Sequence, residues 1–135
     1  MIPLSKANGI SQIVWSPLAQ GVLTGKYRPG EPLPEGTRAT SRSMGSFMGR
    51  ARDRTLLERV QQLRPIADGL GITLAQLAIA WVLREQNVAS AIIGASRPEQ
   101  VEDEVGGVGV TLDDSTLSQI DHILGDSVSW EGPAS

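Results

Sequence analysis

Only two stretches of this 135-residue chain read as β-strands, and the chain between them dictates how they pair. The first, residues 11–15, ends in Ile13-Val14-Trp15 and breaks at Ser16-Pro17, because proline cannot donate to a ladder and restricts the residue before it. The second, residues 90–94, holds Ala91-Ile92-Ile93-Gly94, an apolar run without alternation, the pattern of a strand covered on both faces. Helical patterns fill the interval, so the strands pair in parallel through a right-handed crossover, an α/β arrangement. Parallel sheets are stable chiefly when large and covered on both sides. A chain with two such strands therefore reads as part of something bigger, and residues 1–10 read as the end of a helix that starts upstream.

The helices announce themselves by spacing. Leu56, Leu57, Val60, Leu63, Ile66, Ala67 and Leu70 predict an amphipathic helix over about 53–68, ended by Gly69 and Gly71 and bent or broken at Pro65. Thr73-Leu74-Ala75-Gln76 is a capping-box sequence opening a helix to about residue 85 that is apolar on nearly every side and expected to be buried. A short helix after the second strand stops at Gly106-Gly107. The capping pattern over 111–114 precedes a last helix whose stripe is Leu117, Ile120, Ile123 and Leu124. Residues 125–135 read as a loose tail, and residues 19–52, rich in Gly, Pro, Ser and Arg, are too long for a mere connector.

The strand-to-helix corner at residues 94–100 has the makings of an anion site. Gly94 lets the backbone approach a ligand, Ser96 and Glu99 have capping-box spacing, and Pro98 sits in the first helical turn. Free N–H groups at a helix start favour a phosphate, and the Arg97 guanidinium can grip one bidentately. The same spacing also describes an ordinary capped helix with a surface arginine.

Charge narrows the chemistry further. Net charge is −3, yet Lys26, Arg28, Arg38, Arg42, Arg50, Arg52 and Arg54 face only Glu31, Glu35 and Asp53 in one segment. With Tyr27 and Phe47 its only aromatics and no groove-entering motif, that segment suits a small phosphorylated ligand better than nucleic acid, although solvated loop charges give the same composition. The absence of cysteine removes disulfides, thiolate metal sites and cysteine nucleophiles, and a single histidine argues against a His-based metal site. No run of 18 apolar residues and no leader pattern is present, so no membrane role is expected and a cytoplasmic location is the default.

Two long motifs make the chain recognisable. Trp15-Ser16-Pro17-Leu18-Ala19-Gln20-Gly21-Val22-Leu23-Thr24-Gly25-Lys26-Tyr27, and later Ile93-Gly94-Ala95-Ser96-Arg97-Pro98-Glu99-Gln100-Val101-Glu102-Asp103, closely resemble the aldo-keto reductases. The nearest group is the bacterial and potassium-channel beta-subunit-like branch. Leu74-Ala75-Gln76-Leu77-Ala78-Ile79-Ala80-Trp81 lies between them, and the resemblance runs from about Ile2 to about Leu124. It implies a partial (β/α)8 TIM barrel, since a full barrel takes roughly 250 residues. This chain would be its C-terminal half, with 13–15 as strand seven, 91–94 as strand eight and 19–52 as the long cofactor-covering loop.

Site roles follow from the resemblance, residue by residue. Trp15 matches the aromatic platform for a nicotinamide ring, and Ser16, Pro17, Leu18, Ala19, Gln20 and Gly21 match the segment lining the cofactor pyrophosphate. Lys26 matches a cation near the phosphates, and Arg38 an arginine of the covering loop; solvated loop charges are the alternative for both. Gly94, Ser96, Arg97 and Gln100 match the pocket for the adenosine 2′-phosphate and its ribose, which favours NADP(H) because a 2′-phosphate needs a cation. Asp103 and Glu104 match the pair beside the adenine. Glu104 departs from the family's usual asparagine, and a carboxylate can accept but not donate.

The resemblance also implies hydride transfer between NADP(H) and an aldehyde or ketone, with a catalytic Asp, Tyr, Lys and His. None of the four has a matching position here. Tyr27 belongs to the Gly-Lys-Tyr loop motif, and His122 reads as a surface or boundary residue. The chain is thus expected to be the cofactor-binding half of a reductase, completed by a complementary N-terminal half-barrel chain or by self-association. The alternatives are a non-enzymatic NADP-binding or partner-binding module and a nonfunctional remnant.

Overall fold

The computed structural model describes residues 2–40 and 49–127, apart from the side chains of Arg38 and Arg50. Its elements in chain order are α1 (Ile2–Ala7), β1 (Gln12–Trp15), α2 (Arg54–Gln62), α3 (Arg64–Leu70), α4 (Leu74–Leu83), β2 (Val88–Ile92), α5 (Pro98–Val105) and α6 (Asp114–Leu124). Short 3-10 turns at Ala19–Thr24, Arg38–Thr40 and Gly49–Arg52 punctuate the long loop.

The two strands pair in parallel, as the intervening helices require, with Ile13 opposite Ser90, Val14 opposite Ala91 and Trp15 opposite Ile92. Alternation then sorts the sheet into two faces. Val14 and Ala91 are half-buried on the side where α4 packs on β2. Ile13, Trp15 and Ile92 stand 68%, 76% and 57% exposed on the other. This corrects the expectation of a second strand covered on both faces. The strand also starts earlier, at Val88, because Asn87 is already pinned: its carbonyl accepts from the Gln12 N–H at 2.6 Å and its amide donates to Ser5 Oγ at 2.8 Å. Buried Ser5 also takes a 2.8 Å bond from Gln12 Nε2 and so fastens α1 to the base of both strands.

The core lies between the loop and the helices. Val22 and Tyr27 from the loop meet Leu57, Val60, Leu63, Ala67, Leu74, Leu77 and Ile120 in one buried cluster. Burial of each larger aliphatic side chain there contributes on the order of 1.5–3 kcal/mol. The start of the long loop is therefore an integral part of the core. Gln61 Nε2 reinforces it by donating to the carbonyls of Gly25 and Tyr27, at 3.1 and 3.3 Å.

Helix boundaries follow local chemistry. Leu63 ends α2 and caps α3, whose second residue is Pro65, so the break sits where the missing proline N–H places it. Gly69 lies inside α3, which runs to Leu70 and ends at Gly71 with φ +68°. Thr73 and Gln76 form the reciprocal capping box of α4, whose Leu74, Ala75, Leu77, Ile79 and Ala80 are buried. Two caps differ from expectation. Asp113 caps α6, because its carboxylate accepts the Thr116 N–H at 2.7 Å more readily than a hydroxyl does. Arg97 is the N-cap of α5, where Gln100 and not Glu99 turns back to the preceding backbone. Residues 125–127 form a 3-10 turn in which Arg59 donates to Leu124 O and to the side chains of Asp126 and Ser127. Residues 128–135 lie outside the described residues.

Two stability predictions follow from this packing. A Cβ at Gly107 would lie 2.9 Å from Gln76 O and 3.0 Å from Ile79 Cβ, so Gly107→Ala should cost about 1–3 kcal/mol in urea unfolding by wedging α4 from the turn after α5. The Thr116 hydrogen bonds hold the Asp113 carboxyl below its ordinary value. Its stabilising effect is complete above the unfolded value and is lost as pH falls through the lower folded one. Asp113→Asn should remove that part of the acid dependence of thermal unfolding.

Candidate functional site

The corner after β1 is held in a conformation that side chains resist. Ser16, Ala19 and Gln20 have φ of +53°, +46° and +60°, and Gly21 follows at +95°. A left-handed backbone costs a non-glycine residue roughly 1–2 kcal/mol. Here it is held by Ala19 N–H to Ser16 O at 2.9 Å, Gly21 N–H to Leu18 O at 2.9 Å and Thr24 Oγ1 to Gly21 O at 2.8 Å. Buried Pro17 and Val22 anchor the turn to the body of the molecule. Strain of this kind gathers at functional sites, where it fixes backbone groups toward a ligand.

Parallel pairing brings the end of β2 beside this corner. Between them opens a cleft of about 910 Å³, lined by Trp15, Ser16, Pro17, Leu18, Gln20, Gly21, Thr24 and Lys26 on one side. Ile92, Ile93, Gly94, Ser96, Arg97, Gln100 and Glu104 line the other, and Glu35, Gly36 and Thr37 of the long loop complete it. Small-molecule and cofactor sites span roughly 300–1,000 Å³, so this one lies at the large end.

Charges of both signs line it. Lys26 is exposed, its Nζ 5.2 Å from the centroid of the buried Tyr27 ring, and its tip passes 3.0 Å from where a Cβ on Gly21 would stand. Glycine there leaves room for the lysine to lie along the floor. Arg97 is exposed at the start of α5. Gln100 Oε1 accepts from Ser96 N–H at 2.8 Å, Ser96 Oγ at 3.1 Å and Arg97 N–H at 3.2 Å. The backbone donors of this corner thus already have an acceptor, and what faces the cleft most freely is the arginine side chain. Glu104, only 7% exposed, also borders this space.

Most of the residues singled out in the sequence meet in this cleft, and two whose side chains are described do not line it. Ala19 packs against the buried core. Asp103 points to α4, where Gln76 Nε2 donates to its carbonyl at 2.7 Å and to its carboxylate at 3.2 Å. Arg38 opens a 3-10 turn, and its side chain lies outside the described ones. The lining adds Glu35, Gly36 and Thr37, which no periodicity marks, Thr24 and Ile93 from within the two motifs, and Ile92 just before the second. Tyr27 is 1% exposed with no hydrogen-bond partner for its hydroxyl among the described residues, which places it in the core and away from acid–base work. His122 is exposed on α6.

Comparison with known proteins adds a lineage to this geometry. The profile of the Aldo/keto reductase family matches residues 1–124. A probable voltage-gated potassium channel subunit beta from Arabidopsis thaliana is 41% identical over 125 residues, covering 91% of this chain and 38% of that protein. A putative voltage-gated potassium channel subunit beta from Schizosaccharomyces pombe is 40% identical over 128 residues, covering 92% of this chain and 37% of that protein. The structure of a glycerol dehydrogenase from Gluconobacter oxydans superposes with a TM-score of 0.74 at 23% identity, over 100% of this chain and 40% of that one, a likeness of fold. The chain spans less than half the length of these relatives.

The strained turn yields its own prediction. Gln20→Gly should raise stability by about 0.5–1 kcal/mol in denaturant unfolding, the left-handed penalty being partly offset by the greater freedom of unfolded glycine.

Proposed function

The chain belongs to the aldo/keto reductase family, an oxidoreductase family, and from that premise we propose that it is the cofactor-holding part of an NADP(H)-dependent reductase. One observation carries the reading. Two segments about seventy residues apart, each a family motif, close on a single cleft large enough for a dinucleotide. In this reading the chain contributes strands seven and eight of a (β/α)8 barrel, so the cleft sits at the strand C-terminal ends, where barrels bind phosphate after those two strands.

Each end of the cleft suits one end of the cofactor. The indole of Trp15, 76% exposed beside Ser16, offers a flat apolar platform for the nicotinamide ring. The turn at 16–21 and Lys26 take the pyrophosphate. Arg97 takes the 2′-phosphate, with the Ser96 hydroxyl and the Gln100 amide available to the ribose side. Bound there, the cofactor supplies a hydride to a carbonyl substrate. The fit has one cost: the carboxylates of Glu35 and Glu104 repel phosphates, so the cations must sit nearer to them than the acids do.

The acid–base groups of the reaction fall, in this reading, in the part of the relatives that the chain does not span. The exposed row of Ile13, Trp15 and Ile92, and the outer strand edges left unpaired among the described residues, support completion by further parallel strands, on the same polypeptide or a complementary one. A second reading, a non-enzymatic module that binds NADP(H) and a partner, is favoured by the two relatives named as potassium channel subunits.

Fluorescence titration of the 135-residue chain with NADPH tests the proposal. Saturable binding is expected, weakened about tenfold or more in Arg97→Ala by loss of a charge-assisted contact, with little change for NADH. No saturable signal from the wild-type chain overturns it. Reduction of a simple aldehyde by the isolated chain would overturn the assignment of the acid–base groups to another segment.

A further inference from the structure

The side chain of Gln76 does two jobs with its two ends. Its Oε1 accepts the Thr73 N–H at 3.0 Å and closes the capping box of α4. Its Nε2 donates across to α5, to Asp103 O at 2.7 Å and Asp103 Oδ1 at 3.2 Å, while Thr73 Oγ1 lies 3.5 Å from the same carboxylate oxygen. An amide side chain can accept at its oxygen and donate at its nitrogen, which lets one residue serve both contacts. Around it the two helices touch closely: a Cβ on Gly106 would collide with Gln76 Nε2, and one on Gly107 would meet Gln76 O at 2.9 Å.

We infer that Gln76 and Asp103 form a positioning clamp for the anion end of the cleft. α5 carries Arg97 at its start and Gln100 and Glu104 along its length, all three facing the cleft. Its apolar side chains Val101 and Val105 are 45% and 56% exposed and add little anchorage. The axial position of the helix, and with it the reach of Arg97, is set by the hydrogen bonds at Asp103 and by the close seating of the two glycines. Asp103 then acts from behind the cleft, through α5, without touching the ligand. The inference rests on the cofactor reading above for the identity of that ligand.

The test isolates the clamp from the cap. Gln76→Glu keeps an acceptor at the capping-box position but replaces the donor with a carboxylate that faces Asp103. It should weaken NADPH binding about tenfold, the scale of one hydrogen bond in affinity, and speed amide hydrogen exchange along residues 98–105. Asp103→Asn alone, whose carbonyl still accepts from Gln76, should bind as the wild type does. The double variant Q76E/D103N restores the side-chain pair with donor and acceptor exchanged but leaves the backbone carbonyl of residue 103 without its donor, and should recover affinity and exchange protection in part. Wild-type affinity in Gln76→Glu, or a double variant no better than Gln76→Glu, overturns the clamp. So does a loss of affinity in Asp103→Asn with exchange unchanged, which would mean direct contact with the cofactor. A wild-type chain that fails to bind NADPH overturns the cofactor reading and the affinity role together, while the exchange pattern alone still decides whether the two side chains hold α5 in place.

Discussion

The two corners that face each other across the cleft are brought together by one pairing, the parallel ladder of Gln12–Trp15 with Val88–Ile92. Parallel strands end at the same side of a sheet, so the chain that leaves Trp15 and the chain that leaves Ile92 must emerge next to each other. Had the strands paired antiparallel, the tryptophan corner and the arginine corner would lie at opposite ends. The crossover that makes this direction possible is also the core of the molecule: α2, α3 and α4 bury the loop residues Val22 and Tyr27 beneath them. Ser5, Gln12 and Asn87 then lock the opposite end of the ladder with side-chain hydrogen bonds, so the sheet is tied at its base and open at its mouth.

Local chemistry was legible in the sequence wherever a short-range rule decided the outcome. Thr73 and Gln76 announced a cap, Pro65 announced a break, and the Ser16-Pro17 step announced the end of β1, because each depends on neighbours within a turn of chain. Where two short-range options competed, the pattern alone did not decide. Gln100 and Glu99 both have side chains able to turn back to the start of α5, and the structure uses the one that reaches the N–H groups of Ser96 and Arg97 together. The apolar run around Ile92 pointed to a doubly covered strand. One of its faces is open, with Ile92 57% exposed beside Ile13 and Trp15, because an apolar run records what a strand can bury and not what packs on it.

The cleft was legible in a different way. Its two motifs were visible as residue strings, yet their meeting depends on tertiary pairing, and the contribution of Glu35, Gly36 and Thr37 carries no periodic signal at all. Asp103 shows the limit most clearly. Adjacent to Glu104 in sequence, it is turned by about 100° around the helix, enough to exchange the cleft for the flank of α4. A pair of neighbouring acids thus divides into one that faces a ligand space and one that fastens the helix carrying it.

The open position of Trp15 gives the molecule an optical handle. Trp81 is half-buried with the Arg84 guanidinium 3.8 Å from its ring centroid, whereas the Trp15 indole projects into solvent at the rim of the cleft. Its emission is therefore that of a water-relaxed chromophore, red-shifted and open to collisional quenchers, and any flat molecule that settles against it dries one face of the ring. A blue shift and shielding from iodide would register that event at the rim itself, independently of what happens at the arginine end.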